Sequence, residues 1–417
     1  MPVSLFSQLR EQAWADHGLA MFGEKSILSL NSHLLRRSDR QVVFAHQRIQ
    51  PSTHGHATRW FRSPSLIACA LTREGMLDAL PETNDSGTER KHMESTTKNR
   101  KTREQIARMV ARTFGGTTLA ASENAVRELK EGWFNAVYNV RLSDGREVIL
   151  KIAPPRDAEV LAYEQNIMVT EVASMRLVRE NPAIPVPEIY AFDTTQDVCD
   201  STYFFMEKLT GDNYEQVGAS FSPASQAQID LQIGAIVREI NGFTGTYFGY
   251  AGNSDLRGAT WGEAFLKIID SVLEDGARKQ ADFGSTIDDI RRAVLKHASS
   301  LEAITTPQLV HWDAWNPNFF VKDGKVTGIL DFERALWADP LMEAHFRAFA
   351  FEGVSESMRG YGKTTFTHEE NERCHLYTLH RALVMKTECS YRMYDSDVVS
   401  NLSTQLMAST LNWLKEH

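Results

Sequence analysis

The chain has 417 residues and a formal net charge of −9, with 42% hydrophobic and 24% charged residues. This composition is that of a globular protein with two or three domains, and the acidic balance argues against the basic surface of a nucleic-acid-binding protein. The four cysteines form no CxxC pair, which predicts neither structural zinc nor a disulfide framework.

Hydropathy along the chain predicts no membrane partner. The first residues, MPVSLFSQLREQAW, lack a basic stretch followed by an apolar one, so we expect no signal peptide. The longest apolar runs, such as SLIACAL, are far too short to span a bilayer. We therefore expect a cytoplasmic protein, either a monomer or a homodimer.

Residues 1–92 differ from the rest of the chain. They hold six of the 13 histidines, and residues 81–101 contain almost nothing apolar. Such a polar segment cannot bury enough surface to offset the conformational entropy lost on folding. The sequence therefore predicts a dispensable N-terminal extension, with Met93 as the natural start, or alternatively a small regulatory extension.

The ordered pattern begins with a helix. Thr102 and Gln105 form a potential capping box, and Gly115 can end the helix. The sequence then predicts strands at VREL, NAVYNVRL and REVILKI, with an SDG turn before the last of them. Lys151 lies near the end of this third strand.

A second helix is predicted over 158–180, where Glu164 and Glu171 share an otherwise apolar face. A carboxylate buried there needs a partner, and Lys151 is the cation that we expect to provide it. Of the two, Glu171 is favoured because it lies in mid-helix. Strands at IPVPEIYAF and STYFFMEKL complete five antiparallel strands, and helices are predicted near 224–241, 260–275 and 286–301. The fold class is therefore α+β.

Polar residues interrupt two hydrophobic strands between residues 308 and 340. Asp313 and Asn318 follow the run QLV, and Asp331 ends the run TGIL. Asp313 can accept a proton from a hydroxyl group, while Asn318 and Asp331 supply the hard oxygen ligands that Mg²⁺ prefers. His311 is interpreted mainly as a residue that orients this loop.

These motifs resemble the aminoglycoside phosphotransferase family, the small-molecule branch of the protein-kinase-like fold. The family pattern H-G-D-x-x-x-x-N stands here as HWDAWNPN at 311–318, and I-D-[FW]-[GE] as ILDFE at 329–333. The resemblance covers about residues 103–417. It implies a bilobal enzyme, with a nucleotide-binding N-lobe at 93–208 and a C-lobe at 209–417 that carries the catalytic loop and the acceptor site.

The resemblance also implies an ATP site with Mg²⁺. Asp313 is then the catalytic base, Lys151 neutralises the nucleotide phosphates, and Glu171 belongs to the nucleotide site as the residue that holds Lys151 in place. The glycine of KEGWFNA, Gly132, lies in the nucleotide loop, and the backbone from Glu207 to Leu209 holds the adenine. Two positions depart from relatives of this fold. Trp312 replaces the usual Gly beside the base, and Glu333 stands where protein kinases have Gly, which predicts a metal loop that does not flip.

The function implied is an ATP-dependent small-molecule O-phosphotransferase with an alcohol group as acceptor. Residues 209–417 contain 28 acidic and 19 basic residues, which accounts for the whole net charge. With the acidic segments 270–289 and 368–372, this predicts a cationic acceptor, an aminoglycoside or a basic peptide antibiotic, and hence antibiotic resistance. The alternatives are a metabolic kinase of the choline, homoserine or sugar-amine type and a non-catalytic nucleotide-binding scaffold. A protein kinase is disfavoured because no A-P-E element follows Asp331.

Overall fold

The computed structural model describes residues 97–129, 134–392 and 398–417, without the side chains of residues 350 and 351. The predicted extension at 1–92 and the nucleotide-loop glycine Gly132 lie outside the described residues. The three cysteines within the described ranges, Cys199, Cys374 and Cys389, are free thiols, as their spacing predicts.

An antiparallel sheet and two helices form the N-terminal part. Helix α1 (Arg103–Phe114) begins with the predicted capping box, in which Thr102 N donates to Gln105 Oε1 at 2.8 Å and Gln105 N to Thr102 Oγ1 at 3.3 Å. The sheet has the spatial order β1-β2-β3-β5-β4, with every pair antiparallel. Its strands are β1 (Val126–Leu129), β2 (Ala136–Arg141), β3 (Glu147–Ile152), β4 (Ile189–Asp193) and β5 (Tyr203–Glu207). The five predicted strands are confirmed.

Helix α2 (Ile167–Val178) is shorter than the predicted helix over 158–180. Residues 162–164 form a separate 3-10 turn, and Asn166 adopts a left-handed conformation at φ 53°, which breaks the helical path. Glu164 therefore lies outside the helix, where its side chain bonds Arg392. Only Glu171 remains on the helical face toward Lys151.

The C-terminal part is mostly helical, as the sequence predicts. The predicted helix at 286–301 ends at Lys296 and continues as a 3-10 segment over 298–303. The helices are α3 (Tyr214–Val217), α4 (Pro223–Asn241), α5 (Trp261–Arg278), α6 (Ile287–Lys296), α7 (Ala344–Glu352), α8 (Glu356–Tyr361), α9 (His368–Arg392) and α10 (Val398–Glu416). No helix of the described residues is both long and apolar enough to cross a bilayer.

Short strands in this part position the polar loop. They are β6 (Asp212–Asn213), β7 (Phe248–Tyr250), β8 (Arg257–Gly258), β9 (Gln308–Val310), β10 (Phe319–Lys322), β11 (Lys325–Ile329) and β12 (Leu336–Ala338). Strands β10 and β11 form a hairpin, and β12 pairs with both β7 and β9. Because β9 ends before His311 and β11 ends before Asp331, these two strands bring the two polar turns of the motif side by side.

Helices α5 and α9 provide the core beneath that loop. Trp261, Phe265 and Tyr377 are fully buried between them, and Trp261 Nε1 donates to Tyr377 Oη at 2.7 Å. Burying side chains of this size contributes several kcal/mol relative to exposure. The loop that carries the polar residues is therefore supported by a rigid apolar layer.

Candidate active site

One buried lysine joins the sheet, helix α2 and the turn after β11. Lys151 Nζ lies 2.8 Å from Glu171 Oε1, 2.7 Å from Asp331 Oδ1 and 3.2 Å from Glu333 Oε2. The Lys151 side chain is only 9% exposed. The structure thus brings together three residues that the sequence analysis selected from three different elements, and it adds Glu333.

Charge in this cluster is unbalanced, with three carboxylates around one ammonium. Burial alone would lower the pKa of Lys151, but Asp331, Glu171 and Glu333 outweigh it and hold that pKa well above its ordinary value. Burial raises the pKa of Glu171 and of Glu333, although Lys151 opposes both shifts. Without a further cation, these raised pKa values favour the protonated forms of Glu171 and Glu333, whereas a cation bound between them would favour their charged forms.

The same carboxylates offer hard oxygen ligands. Ligand oxygens of Glu171, Asp331 and Glu333 all lie within 4.8 Å of one another. Asn318 is held beside Asp331, because Leu330 N donates to the Asn318 carbonyl at 2.9 Å. Asn318 Nδ2 donates to Asp313 O at 2.8 Å, so its Oδ1 is the atom left for a ligand. This grouping of carboxylate and amide oxygens fits Mg²⁺, and the roles of Asn318 and Asp331 as its ligands stay a prediction.

His311 orients the loop that carries the candidate base. Its Nδ1 accepts from Asp313 N at 3.2 Å, so Nε2 carries the proton and donates to Leu330 O at 2.9 Å. Burial lowers the pKa of His311, which favours this neutral form. Its ring centroid lies 4.3 Å from that of Phe332. These contacts support the interpretation of His311 as a structural residue that links the two motifs.

Asp313 is fixed through its backbone rather than its side chain. Its carbonyl accepts from Trp315 N at 3.0 Å and from Asn318 Nδ2 at 2.8 Å. Within the described ranges, its carboxylate has no hydrogen-bond partner. A positioned carboxylate without an internal partner can accept a proton from a bound hydroxyl group.

Glu343 holds the backbone of the loop that carries Asp313. Its carboxylate accepts His311 N at 2.8 Å, Trp312 N at 3.2 Å and Asn241 Nδ2 at 2.9 Å. Burial raises the pKa of Glu343 to about 7. This residue, which follows β12 and the Asp339-Pro340 turn, fixes the backbone immediately before Asp313.

Trp312 lies beside the base in an unusual conformation. Its φ is +70°, a left-handed value that suits glycine, and its side chain is 4% exposed. The bulk that the sequence predicts beside Asp313 is therefore packed into the protein. The Arg347 guanidinium lies 4.0 Å from the Trp312 ring centroid and that of Arg334 lies 5.1 Å from it.

The predicted adenine segment connects the two parts of the molecule. Glu207 ends β5, where its backbone N donates to Glu188 O at 2.8 Å. The Leu209 side chain packs on Gly328 of β11, where an added Cβ would come within 2.3 Å of Leu209 Cδ1. The roles of Glu207 and Leu209 toward adenine stay predictions.

Several residues near the site were missed in the sequence. Asn135 Nδ2 donates to Glu333 Oε2 at 2.7 Å and so links the strand after the nucleotide loop to the Lys151 cluster. Glu333 stood out in the sequence as a departure from protein kinases, but its contact with Lys151 was not predicted. Arg347 and Arg381 have no motif that would identify them, since helices α7 and α9 bring them to Asp313 only by tertiary packing.

Comparisons with known proteins identify the family and the fold. The sequence pattern of the Phosphotransferase enzyme family (APH) matches residues 125–359, more than half of the chain. A thermostable mutant of aminoglycoside phosphotransferase APH(4)-Ia, solved with ADP and hygromycin B, is 15% identical to this chain and has a TM-score of 0.52. The match covers 74% of this chain and 98% of that structure. A putative aminoglycoside phosphotransferase from Ralstonia eutropha is 13% identical with a TM-score of 0.50, covering 75% and 98%.

The curated relatives match a smaller part of the chain. A subtelomeric hrmA-associated cluster protein of Aspergillus fumigatus is 31% identical over 119 residues, which is 28% of this chain and 23% of that protein. The chain therefore spans less than a quarter of the length of this relative. At the identities of the solved structures, likeness shows the fold, and that fold is the bilobal, protein-kinase-like α+β fold that the motifs predict.

Proposed function

The chain belongs to the Phosphotransferase enzyme family, and we propose that it transfers the γ-phosphoryl group of ATP to a hydroxyl group of a small molecule. The observation that carries the proposal is the Asp313 carboxylate, which has no internal partner in the described structure and is tied by its backbone to Asn318. A non-catalytic scaffold has no chemical need for such a base next to a lysine–carboxylate cluster.

The reaction follows from the placement of these groups. Asp313 accepts the hydroxyl proton as the acceptor oxygen forms its bond to the γ-phosphorus, and the bond from that phosphorus to the β,γ-bridging oxygen breaks to leave ADP. Lys151 neutralises nucleotide phosphate charge, and Glu171 holds the lysine in position. When bound, Mg²⁺ neutralises charge on the phosphates, and Asp331 and Asn318 would hold it.

The nucleotide is proposed to lie between the sheet and the hairpin β10–β11. The backbone from Glu207 to Leu209 would hold the adenine, and the segment with Gly132 would cover the phosphates. This placement puts the γ-phosphoryl group between Lys151 and Asp313, the arrangement that transfer requires.

A cationic acceptor has mixed support. The net charge of the C-terminal residues favours it, and the solved relative APH(4)-Ia was crystallised with hygromycin B. However, several carboxylates of the acidic segments that suggested it form local ion pairs, and Asp313 interacts electrostatically with three arginines, Arg334, Arg347 and Arg381. The pairs are Asp270–Arg291, Asp275–Arg278 and Asp289–Arg292 in the first segment and Glu370–Lys363 in the second. The charges around Asp313 therefore favour an acceptor that is not cationic.

The proposal is tested by incubating the protein with Mg²⁺ and ATP labelled in its γ-phosphoryl group, together with a panel of hydroxylated antibiotics, amino alcohols, sugars and hydroxy acids. We expect label in one acceptor class with the wild type and none with Asp313→Asn. ATP binding without transfer to any acceptor would favour the scaffold. Label transferred equally by Asp313→Asn would remove Asp313 from the proposed role.

A further inference from the structure

A positively charged, donor-rich cluster lies next to the candidate base. Arg347, on helix α7, is 2% exposed, and its Nη2 donates to Trp312 O at 2.5 Å. Its Nε and Nη1 atoms are buried and have no hydrogen-bond partner among the described residues. An arginine guanidinium can only donate hydrogen bonds, so these N–H groups lack an acceptor.

Other buried polar groups near Arg347 also lack a hydrogen-bond partner among the described residues. Trp312 Nε1, which can only donate, has no partner in the described ranges, and neither ring nitrogen of His380 has one. His380 is 1% exposed, and its ring centroid lies 5.9 Å from that of Trp312. Each buried polar group left unsatisfied costs about 1–3 kcal/mol, so a cluster of such groups is expensive unless something binds there.

Neither Arg347 nor Arg381 forms an ion pair with a described residue, although Glu343 favours the charged form of Arg347 and Glu352 that of Arg381. Arg334 is paired with Glu388 at 2.7 Å, but Arg381, on helix α9, makes no hydrogen bond or ion pair with any described residue. Burial, with the repulsion from Arg381, lowers the pKa of Arg347 to about 9. Asp313 favours the charged forms of all three arginines without forming an ion pair with any of them.

We infer that the phosphoryl acceptor carries an oxyanion, a carboxylate or a phosphate, that binds Arg347 and Arg381 while its hydroxyl group lies at Asp313. The inference rests on the proposed function, because it treats Asp313 as the base. An arginine fork matches the two oxygens of such a group, and the buried N–H groups would gain the acceptor they lack. The acceptor class is thus a hydroxy acid or a phosphorylated alcohol rather than an amine.

Phosphate oxygens could also come from ATP itself, and a melting experiment separates the two sources. Unfolding of the protein is followed with saturating Mg²⁺ and AMP-PNP, so that the nucleotide site is filled. Orthophosphate and acetate are then compared with chloride at equal ionic strength. We expect both oxyanions to raise the Tm of the wild type above its value in chloride. An oxyanion effect that disappears once AMP-PNP is bound would assign the arginines to the nucleotide and overturn the inference.

Variants at Arg381 and Arg359 test which residue is responsible for the oxyanion stabilisation. Arg381→Gln removes a guanidinium that makes no hydrogen bond with the described residues, so the variant should fold and should lose the oxyanion stabilisation. Arg359→Gln is the matched control, because Arg359 on α8 is 54% exposed and pairs with Glu356 at 3.2 Å. It should keep the full effect. Equal stabilisation of Arg381→Gln and wild type would contradict the inference.

A transfer experiment separates this inference from the proposed function. Glucose, glucuronate and glucosamine share one hydroxylated ring and differ in charge, so they are compared as acceptors at equal concentration. We expect the largest yield with glucuronate, and a KM for it that rises at least about tenfold in Arg381→Gln. Best turnover of glucosamine would overturn the inference while the proposed function stands. If Asp313→Asn keeps both the oxyanion stabilisation and the transfer activity, Asp313 is not the base. The inferred anion site would then still stand.

Discussion

Lys151 and Glu171 form a buried ion pair of 2.8 Å that joins strand β3 to helix α2. The pair lies beside Asp331, so three distant parts of the chain meet at one ammonium group. Truncating one member of a buried pair leaves the other charge uncompensated, which costs more than the pair itself contributes. The two residues should therefore behave as one unit.

A double-mutant cycle tests this unit. Glu171→Ala should raise the KM for ATP, and adding Lys151→Ala should cost less than the sum of the single effects, with a coupling of about 0.5–3 kcal/mol. Glu164→Ala is the control, because Glu164 forms its ion pair with Arg392. The effects of Glu164→Ala and Lys151→Ala should therefore be additive. Full additivity of Lys151 and Glu171 would contradict the account.

Asp331→Asn tests the proposed metal ligand with little change in size. The variant should need more Mg²⁺ for half-maximal activity and should show a lower kcat, because a neutral amide neutralises less of the metal charge. Activity is measured over a Mg²⁺ titration, with Asp323→Asn in the β10–β11 turn as the control. An unchanged Mg²⁺ dependence would show that Asp331 does not bind the metal.

Glu343→Gln should change how stability depends on pH. A Glu in the unfolded chain titrates near about 4.3, while burial raises the pKa of Glu343 to about 7 in the folded protein. Between these values the folded protein keeps a proton that the unfolded chain has released, so the stability of the wild type falls as pH rises. Relative to Glu343→Gln, the free energy of unfolding should fall by up to about 4 kcal/mol across this window. Parallel curves from urea unfolding would contradict the raised pKa.

The Trp312→Gly variant compares the backbone strain at this position with the packing energy of the buried indole. Glycine at φ +70° would remove strain of about 1 kcal/mol, but loss of the buried ring leaves a cavity that costs about 3–5 kcal/mol. The net result should be a loss of about 2–4 kcal/mol in the free energy of unfolding. Trp312→Phe keeps a ring against Arg347 and should lose less. Equal stability of the glycine variant and the wild type would show that the indole packs poorly.

The sequence predicted most of the strands and the partner of Lys151, because these depend on local alternation and on motif spacing. It misplaced the start of helix α2, because the left-handed backbone at Asn166 depends on tertiary contacts. The hydrophobic periodicity of the sequence does not reveal such contacts. Net charge predicted a cationic acceptor, and that stays a prediction. It could not reveal that Asp313 interacts electrostatically with Arg347 and Arg381, which lie on helices remote in sequence. Local charge depends on which side chains the fold brings together, and composition does not contain that information.

The most direct test of the central claim is the effect of Asp313→Asn on phosphoryl transfer and on ATP binding, measured on the same protein. With the acceptor that the labelled-ATP panel identifies, transfer should fall at least about a hundredfold, because general-base catalysis is lost. The Kd for ATP should remain that of the wild type, since Asp313 acts on the acceptor. Transfer within about tenfold of the wild type would contradict the assignment of Asp313 as the base.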